Sequence, residues 1–78
     1  MKALANEFRE LTRNRGGYRI MVTKYNGRST SVESFGPMSW NDAQRAVRQH
    51  GANFHAELQS VDDDSVRMTV AYGAVSYR

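Results

Sequence analysis

Two histidines and a nearby glutamate are the residues whose types could bind a metal ion. His50 and His55 are five residues apart, and Glu57 shares a predicted strand face with His55. A structural metal site in a protein commonly needs four ligands and a catalytic one at least three, and the sequence brings no further ligand to this pair. We therefore expect neither a metal nor another cofactor. The pattern favours a histidine at a helix C-terminus and a second one on a strand surface.

The acidic run Asp62-Asp63-Asp64-Ser65 is a second candidate, because carboxylate oxygens bind hard cations. It lacks the glycine and the distal glutamate of a calcium loop, so an acidic hairpin turn is the better interpretation. No serine stands in a nucleophile elbow, and no nucleophile is paired with a base and an orienting acid. The glycines are too sparse for a loop that cradles phosphates. The sequence therefore predicts that the protein is not an enzyme.

Basic residues give the best functional indication. The formal net charge is +3, and it is uneven: residues 1–30 carry seven Lys and Arg against two Glu, whereas residues 31–78 carry four Arg against six Asp and Glu. A basic half attracts polyanions or acidic protein surfaces, although ordinary solubilising charge explains it equally well. Arginines beside an outward-facing Tyr could stack bases or contact a protein. The candidate partner-binding residues are Arg13, Arg15, Arg19, Lys24, Tyr25, Arg28, Arg45 and Arg48.

Two helices are predicted to position these residues. Residues 2–15 carry an apolar stripe and stop at Gly16-Gly17. The second helix begins at Ser39, an N-cap with Asp42 three residues later, and Gly51 is predicted to end it as the C′ residue. The face of the second helix that we expect in the core consists of Trp40, Ala43, Val47 and His50.

Four strands are predicted around the second helix. The first, Tyr18 to Tyr25, alternates so that Tyr18, Ile20 and Val22 point inward. The return strand covers residues 28–35 and is ended by Gly36-Pro37. A two-residue loop at Asn26-Gly27 would place Glu33 opposite Ile20, so a three-residue loop that pairs Val22 with Val32 is preferred.

The second hairpin is predicted from Asn53–Val61 and Ser65–Tyr72, with Leu58 opposite Met68 and Tyr72 inward. Residues 73–78 are a tail that extends the edge strand or frays. The predicted fold is therefore α+β, in the order αββαββ, with a four-stranded antiparallel sheet and both helices on one face. Residues 1–78 form a single domain, in which 1–36 and 38–73 look alike. An internal αββ repeat and chance similarity both explain the likeness.

The compartment follows from composition. The chain has no cysteine, which favours a reducing compartment, and Asn6, Glu7 and Arg9 interrupt any signal-peptide core. No apolar run approaches the roughly 20 residues that cross a membrane. We expect a cytoplasmic protein without a membrane partner. The common RNA-recognition, double-stranded-RNA, KH and helix-turn-helix modules fit poorly in element order or signature.

In its general features the chain resembles the small phage-encoded proteins that block host machinery, such as anti-CRISPR proteins and RNA polymerase inhibitors. A single compact domain, no cysteine, no catalytic set, two tight hairpins and arginine-decorated surfaces carry the resemblance. No functional residue is carried over from it. The resemblance implies a binding protein in the host cytoplasm, monomeric or homodimeric, that inhibits or regulates a larger host protein or nucleoprotein complex by occupying an acidic surface. The alternative is a basic nucleic-acid-binding accessory or transcription-regulating protein.

Overall fold

The structure is a computed structural model and describes residues 15–78. These residues form five strands and one helix. All neighbouring strands are antiparallel, and their order across the sheet is β2-β1-β3-β4-β5. The predicted helix at residues 2–15, which is the helix of the first unit of the suggested repeat, lies largely outside these residues. The elements are β1 (Tyr18–Asn26), β2 (Ser29–Met38), α1 (Trp40–Gly51), β3 (His55–Ser60), β4 (Val66–Ala71) and β5 (Ala74–Tyr77).

The predicted fold class is wrong, because residues 15–78 hold five strands and one helix and are mostly β. The fifth strand replaces the predicted tail. Tyr72 and Gly73 both have positive φ, 49° and 85°, which is the geometry of a tight two-residue hairpin turn. The chain therefore returns along β4 as Ala74–Tyr77. Tyr72, predicted inward, is an exposed turn residue instead.

The register of the first hairpin also differs from the prediction. Asn26 pairs with Ser29, so the loop is Gly27-Arg28 rather than Asn26-Gly27 or three residues. Gly27 has a φ of 62° and is the first central residue, where a type II′ turn takes glycine. This register places Glu33 opposite Val22, on the face that carries α1, and turns Val32 to the other face.

Gly36-Pro37 does not end the return strand as predicted. β2 continues to Met38, through a cis Gly36–Pro37 peptide bond and an irregularity opposite the start of β1. Gly36 has a φ of 125°, and a Cβ there would lie 2.8 Å from the carbonyl oxygen of Tyr18. Glycine is therefore required at this position by both backbone angle and space.

The core lies between α1 and the sheet. The inward positions Tyr18, Ile20 and Val22 are buried, as the alternation predicts. Leu58 faces Met68 across β3 and β4, which confirms the predicted pairing. From the helix, Ala43 and Val47 are buried and Trp40 packs with its ring centroid 4.9 Å from that of Tyr18. The predicted core stripe of the helix is thus confirmed for these three residues, whereas His50 is only half-buried and is not part of the core.

Gly51 has a different role from the predicted one. It is the last residue of α1, and Ala52, the C-cap, keeps right-handed helical angles. A Cβ on Gly51 would lie 2.5 Å from the Cβ of Val70. The glycine is therefore needed because the helix approaches β4 closely. α1 is neither long nor apolar enough to cross a membrane, and no other helix occurs in residues 15–78.

Ser39→Ala is expected to lower the free energy of unfolding by about 1 kcal/mol. The Ser39 hydroxyl caps α1 by accepting a hydrogen bond from the Asp42 backbone N–H at 3.3 Å, and alanine leaves that donor without its partner. Urea denaturation measures the change. Ser76→Ala, on the exposed edge strand β5, is the control and should alter stability by less than about 0.5 kcal/mol. Equal effects of the two substitutions would show that the cap contributes nothing.

Candidate partner-binding site

The loops that connect the strands and the helix lie at two opposite ends of the sheet. One, here called the hairpin end, carries the β1–β2 turn, the segment 52–54 and the β4–β5 turn. The last two are tied together, because Gly73 N–H donates to the Gly51 carbonyl at 2.9 Å and Tyr72 N–H to the Phe54 carbonyl at 3.0 Å. The other, the aspartate end, carries the start of β1, the start of α1 and the turn of residues 61–65. The two ends differ in charge.

All four aspartates of the chain lie at the aspartate end. Asp62 accepts a hydrogen bond from the Gly16 backbone N–H at 2.9 Å. Asp63 accepts from the backbone N–H and the hydroxyl of Ser65, at 3.0 and 2.7 Å. Asp64 forms an ion pair with Arg19. The prediction of an acidic hairpin turn is confirmed: Asp62 and Asp64 hold the turn against residues 16–19, and Asp63 bonds to Ser65 within the turn.

The hairpin end instead exposes two tyrosines and an arginine. Tyr25 and Tyr72 are 56% and 66% exposed, and Arg28 is exposed in the β1–β2 turn. Within residues 15–78 Arg28 forms no hydrogen bond or ion pair. The acid of this region is Glu33, which is already bonded to Lys24, with 3.3 Å between Nζ and Oε1. The hairpin end therefore offers aromatic surface and, as far as residues 15–78 are concerned, an arginine charge that no acidic side chain compensates.

At the hairpin end, β1 and β2 extend beyond the neighbouring strand β3. β1 pairs with β3 only from Tyr18 to Thr23, whereas it pairs with β2 as far as Asn26. Residues 24–31 therefore form a two-stranded arm, about 10 Å long, where β1 pairs with no third strand of residues 15–78. Lys24 lies at its base on the α1 side, where its Nζ is 5.5 Å from the centre of the Phe54 ring. Tyr25 points to the opposite face.

The structure brings only some of the predicted binding residues together. Lys24, Tyr25 and Arg28 lie in the arm, as expected from their place around a hairpin tip. Arg19 lies on the outer sheet face and is bonded to Gln59 and Asp64, so the aspartate end compensates its charge. Arg15 is exposed at the same end. Arg13 lies outside the described residues.

The two helix arginines are separate from the arm. Arg45 Nη1 lies 3.9 Å from Asp42 Oδ1, in the first half of α1. Arg48 Nη2 donates a hydrogen bond to the Tyr77 hydroxyl at 2.8 Å, which joins α1 to the edge strand β5. The seven predicted residues that the structure describes thus occupy three places: the arm, the aspartate end and the outer side of α1.

Sequence reasoning missed Tyr72 as a surface residue. The dipeptide Tyr72-Gly73, followed by Ala74-Val75-Ser76-Tyr77, is consistent with a turn followed by a strand. That signal was available, but the apolar alternation of β4 continues through Tyr72 and favoured an inward position. The positive φ of Tyr72 removes it from the strand and exposes its ring at the hairpin end.

The two histidines are separated as well. His50 stacks on Phe35, with ring centroids 4.8 Å apart and planes within 10°. His55 lies on the outer sheet face with its Nε2 4.0 Å from Glu57 Oε1. Within residues 15–78 no group of three or more His, Cys, Asp or Glu side chains is arranged to hold a metal ion. The structure thus adds no ligand to the His55 and Glu57 pair.

Comparison with known proteins assigns this chain to no family. No protein-family model matches it, and no curated protein and no solved structure does. The function must therefore be inferred from the residues of the hairpin end and from their physical chemistry.

Proposed function

We propose that this chain is a non-catalytic binding protein whose hairpin end occupies an acidic surface of a larger protein or nucleoprotein complex. The observation that carries the proposal is that exposed aromatic rings and a positive charge lie at one end of the sheet, and the aspartates lie at the other. Tyr25, Tyr72 and Arg28 are exposed at the hairpin end, and the four aspartates lie at the opposite end.

Tyrosine and arginine suit such a contact for physical reasons. Both are enriched among the residues that contribute most to binding between proteins, since each combines a large contact area with hydrogen-bonding groups. The Arg28 charge, which no other side chain of the described part of the chain compensates, also steers an oppositely charged partner toward that end. The aspartate end would at the same time repel an acidic partner, so the charge arrangement favours one orientation of docking.

The biological setting that we propose is inhibition of host machinery by a phage-encoded protein. A compact domain with two or more tight hairpins, no cysteine and no catalytic set has the general features of that class. Occupying a surface needs no chemistry, only a rigid shape that presents a few side chains. The arm of residues 24–31 provides such a shape, because its backbone is paired to the turn.

Arg28→Glu is expected to weaken partner binding about 30-fold, which corresponds to the roughly 2 kcal/mol of a strong contact residue. The charge reversal places a carboxylate against an acidic partner, at a position that forms no side-chain bond within residues 15–78. Tagged protein, expressed in the cells that naturally contain the gene, is purified with its partner. The affinity for that partner is then measured by calorimetry.

Arg45→Glu is the matched control, since it makes the same charge change on the outer side of α1. It should alter the affinity by less than about threefold. Circular dichroism must show that both variants are folded, because surface charge reversals change stability by only about 0.5 kcal/mol. Equal loss of affinity for the two variants would refute the hairpin end as the contact. Failure to recover any stable protein partner would count against the function itself.

Direct nucleic-acid binding is a second candidate, favoured by the shape of the arm. A two-stranded β-ribbon fits the major groove of DNA, and Arg28 lies in its turn. Electrophoretic mobility shifts over a salt series separate the two candidates. Phosphate contacts predict an affinity that falls steeply as salt rises, and absence of binding at low salt would exclude this candidate.

A further inference from the structure

β2 is a long edge strand, and no other strand of residues 15–78 pairs with its outer side. It has ten residues, and each one from Ser29 to Pro37 is exposed. Natural edge strands are commonly shortened or carry lysines that discourage pairing with another chain. β2 has no lysine, a single charge at Glu33 and a proline only near its end. Such an edge is available for pairing with another strand.

The backbone groups that face outward from β2 follow from the alternation of hydrogen bonds. Val61 N–H donates to the Gly17 carbonyl at 3.0 Å, so odd-numbered residues at the start of β1 face β3. The even-numbered residues of β1 then face β2 and pair with its odd-numbered residues. The outward N–H and C=O groups of β2 are therefore those of Thr30, Val32 and Ser34.

We infer that a second copy of this chain pairs with this edge, antiparallel and across a two-fold axis at Val32, so that the two sheets form one continuous sheet. In this register Val32 lies beside Val32 of the second copy, and Thr30 lies beside its Ser34. About six backbone hydrogen bonds then form. The inference goes beyond the proposed function and does not depend on it.

Side-chain chemistry favours this register. With the axis at Val32, each Glu33 lies opposite Ser31 of the second copy, so a carboxylate meets a hydroxyl. An axis at Glu33 would place two carboxylates opposite each other, which is unfavourable. Val32 is 59% exposed in the single chain, and pairing covers it with an identical apolar side chain. The strand is thus complementary to itself in hydrogen bonding and charge.

The other edge, β5, is a poorer site for a second copy. It has four residues, Ala74–Tyr77, and a short edge strand resists pairing. Its outward-facing residues are Val75 and Tyr77, because Arg78 N–H bonds back to the Arg67 carbonyl at 3.1 Å. The Tyr77 hydroxyl already accepts a hydrogen bond from Arg48.

A single cysteine tests the position of the axis, because the natural chain has no cysteine. In Val32→Cys the two Cα atoms would be about 5.5 Å apart, within the range of a disulfide. Mild oxidation should therefore give covalent dimer. Thr30→Cys is the matched control, since two copies of Thr30 would be about 13 Å apart. Cross-linking of both variants at equal rates would overturn the inference.

Analytical ultracentrifugation of the unmodified chain tests the dimer itself and is expected to show a monomer–dimer equilibrium. Val32→Lys places two like charges beside each other and should raise the dissociation constant at least about tenfold. Val75→Lys, the same change on β5, should leave it within about twofold. A chain that is monomeric throughout the concentration range, or a larger loss with Val75→Lys, would overturn the inference. Circular dichroism verifies that both variants are folded.

Discussion

Leu58→Ala is expected to lower the free energy of unfolding by about 2–5 kcal/mol, which is a large share of the stability of so small a domain. Leu58 is fully buried in the middle of β3, with Ile20 opposite it on β1 and Met68 opposite it on β4. Alanine would leave a cavity in this row, and the paired backbones on both sides prevent the strands from closing it. Urea denaturation measures the loss.

Val75→Ala is the control for the buried leucine. Val75 lies on the edge strand β5 and is partly exposed, so its truncation should cost less than about 1 kcal/mol. A similar cost for both substitutions would mean that the row through Leu58 is not the centre of the core. Loss of stability with a changed urea dependence would instead indicate that the denatured state has changed.

Gly51→Ala is expected to destabilise the protein by about 1–3 kcal/mol, although helix propensity alone predicts a gain of about 1 kcal/mol. The two effects have opposite signs, so the direction of the change decides between them. The new methyl group would lie 2.6 Å from both the Cγ1 and the carbonyl oxygen of Val70. Part of this contact is with backbone, so a side-chain rotation cannot remove it and α1 must move away from β4.

The propensity term is measured at an exposed position of the same helix. Because Gln49 is exposed, the variants Gln49→Ala and Gln49→Gly differ only in helix propensity. The free energy of unfolding should be about 1 kcal/mol higher for the alanine variant. The double variant Gly51→Ala with Val70→Ala should lower the free energy of unfolding by less than the sum of the two single changes. Truncating Val70 removes its Cγ1 atom and so relieves part of the contact with the new methyl group. A Gly51→Ala protein that is more stable than the natural one would contradict the close approach of α1 to β4.

Local patterns in the sequence were sufficient for several elements. The alternation of Tyr18, Ile20 and Val22 predicts the buried face of β1, and the structure confirms it. The apolar spacing of α1 and the Ser39 cap are confirmed as well. An odd number of residues in the loop around Asp63 correctly predicts that Leu58 pairs with Met68. These features depend on residues that are close in the chain.

The candidate site was predictable only in part. Lys24, Tyr25 and Arg28 were expected around a hairpin tip, and they lie there. The compensation of Arg19 by Asp64 was not predicted, because the two residues are 45 positions apart and meet only when β1 and the β3–β4 turn are in place. Tyr72 reached the hairpin end through a turn that the alternation of β4 conceals.

By itself, the sequence determined which residues of β1, α1, β3 and β4 could face a core, since periodicity is a property of the chain. Only the tertiary structure decided the register of β2 and showed why residue 51 must be glycine. Gly27 fits a two-residue turn either with Asn26 before it or with Arg28 after it. The Ser- and Thr-rich strand that follows has no strong preference for which of its faces points to the core. The choice between these turns depends on the free energy of pairing β2 with β1 and packing both under α1, which no local pattern contains.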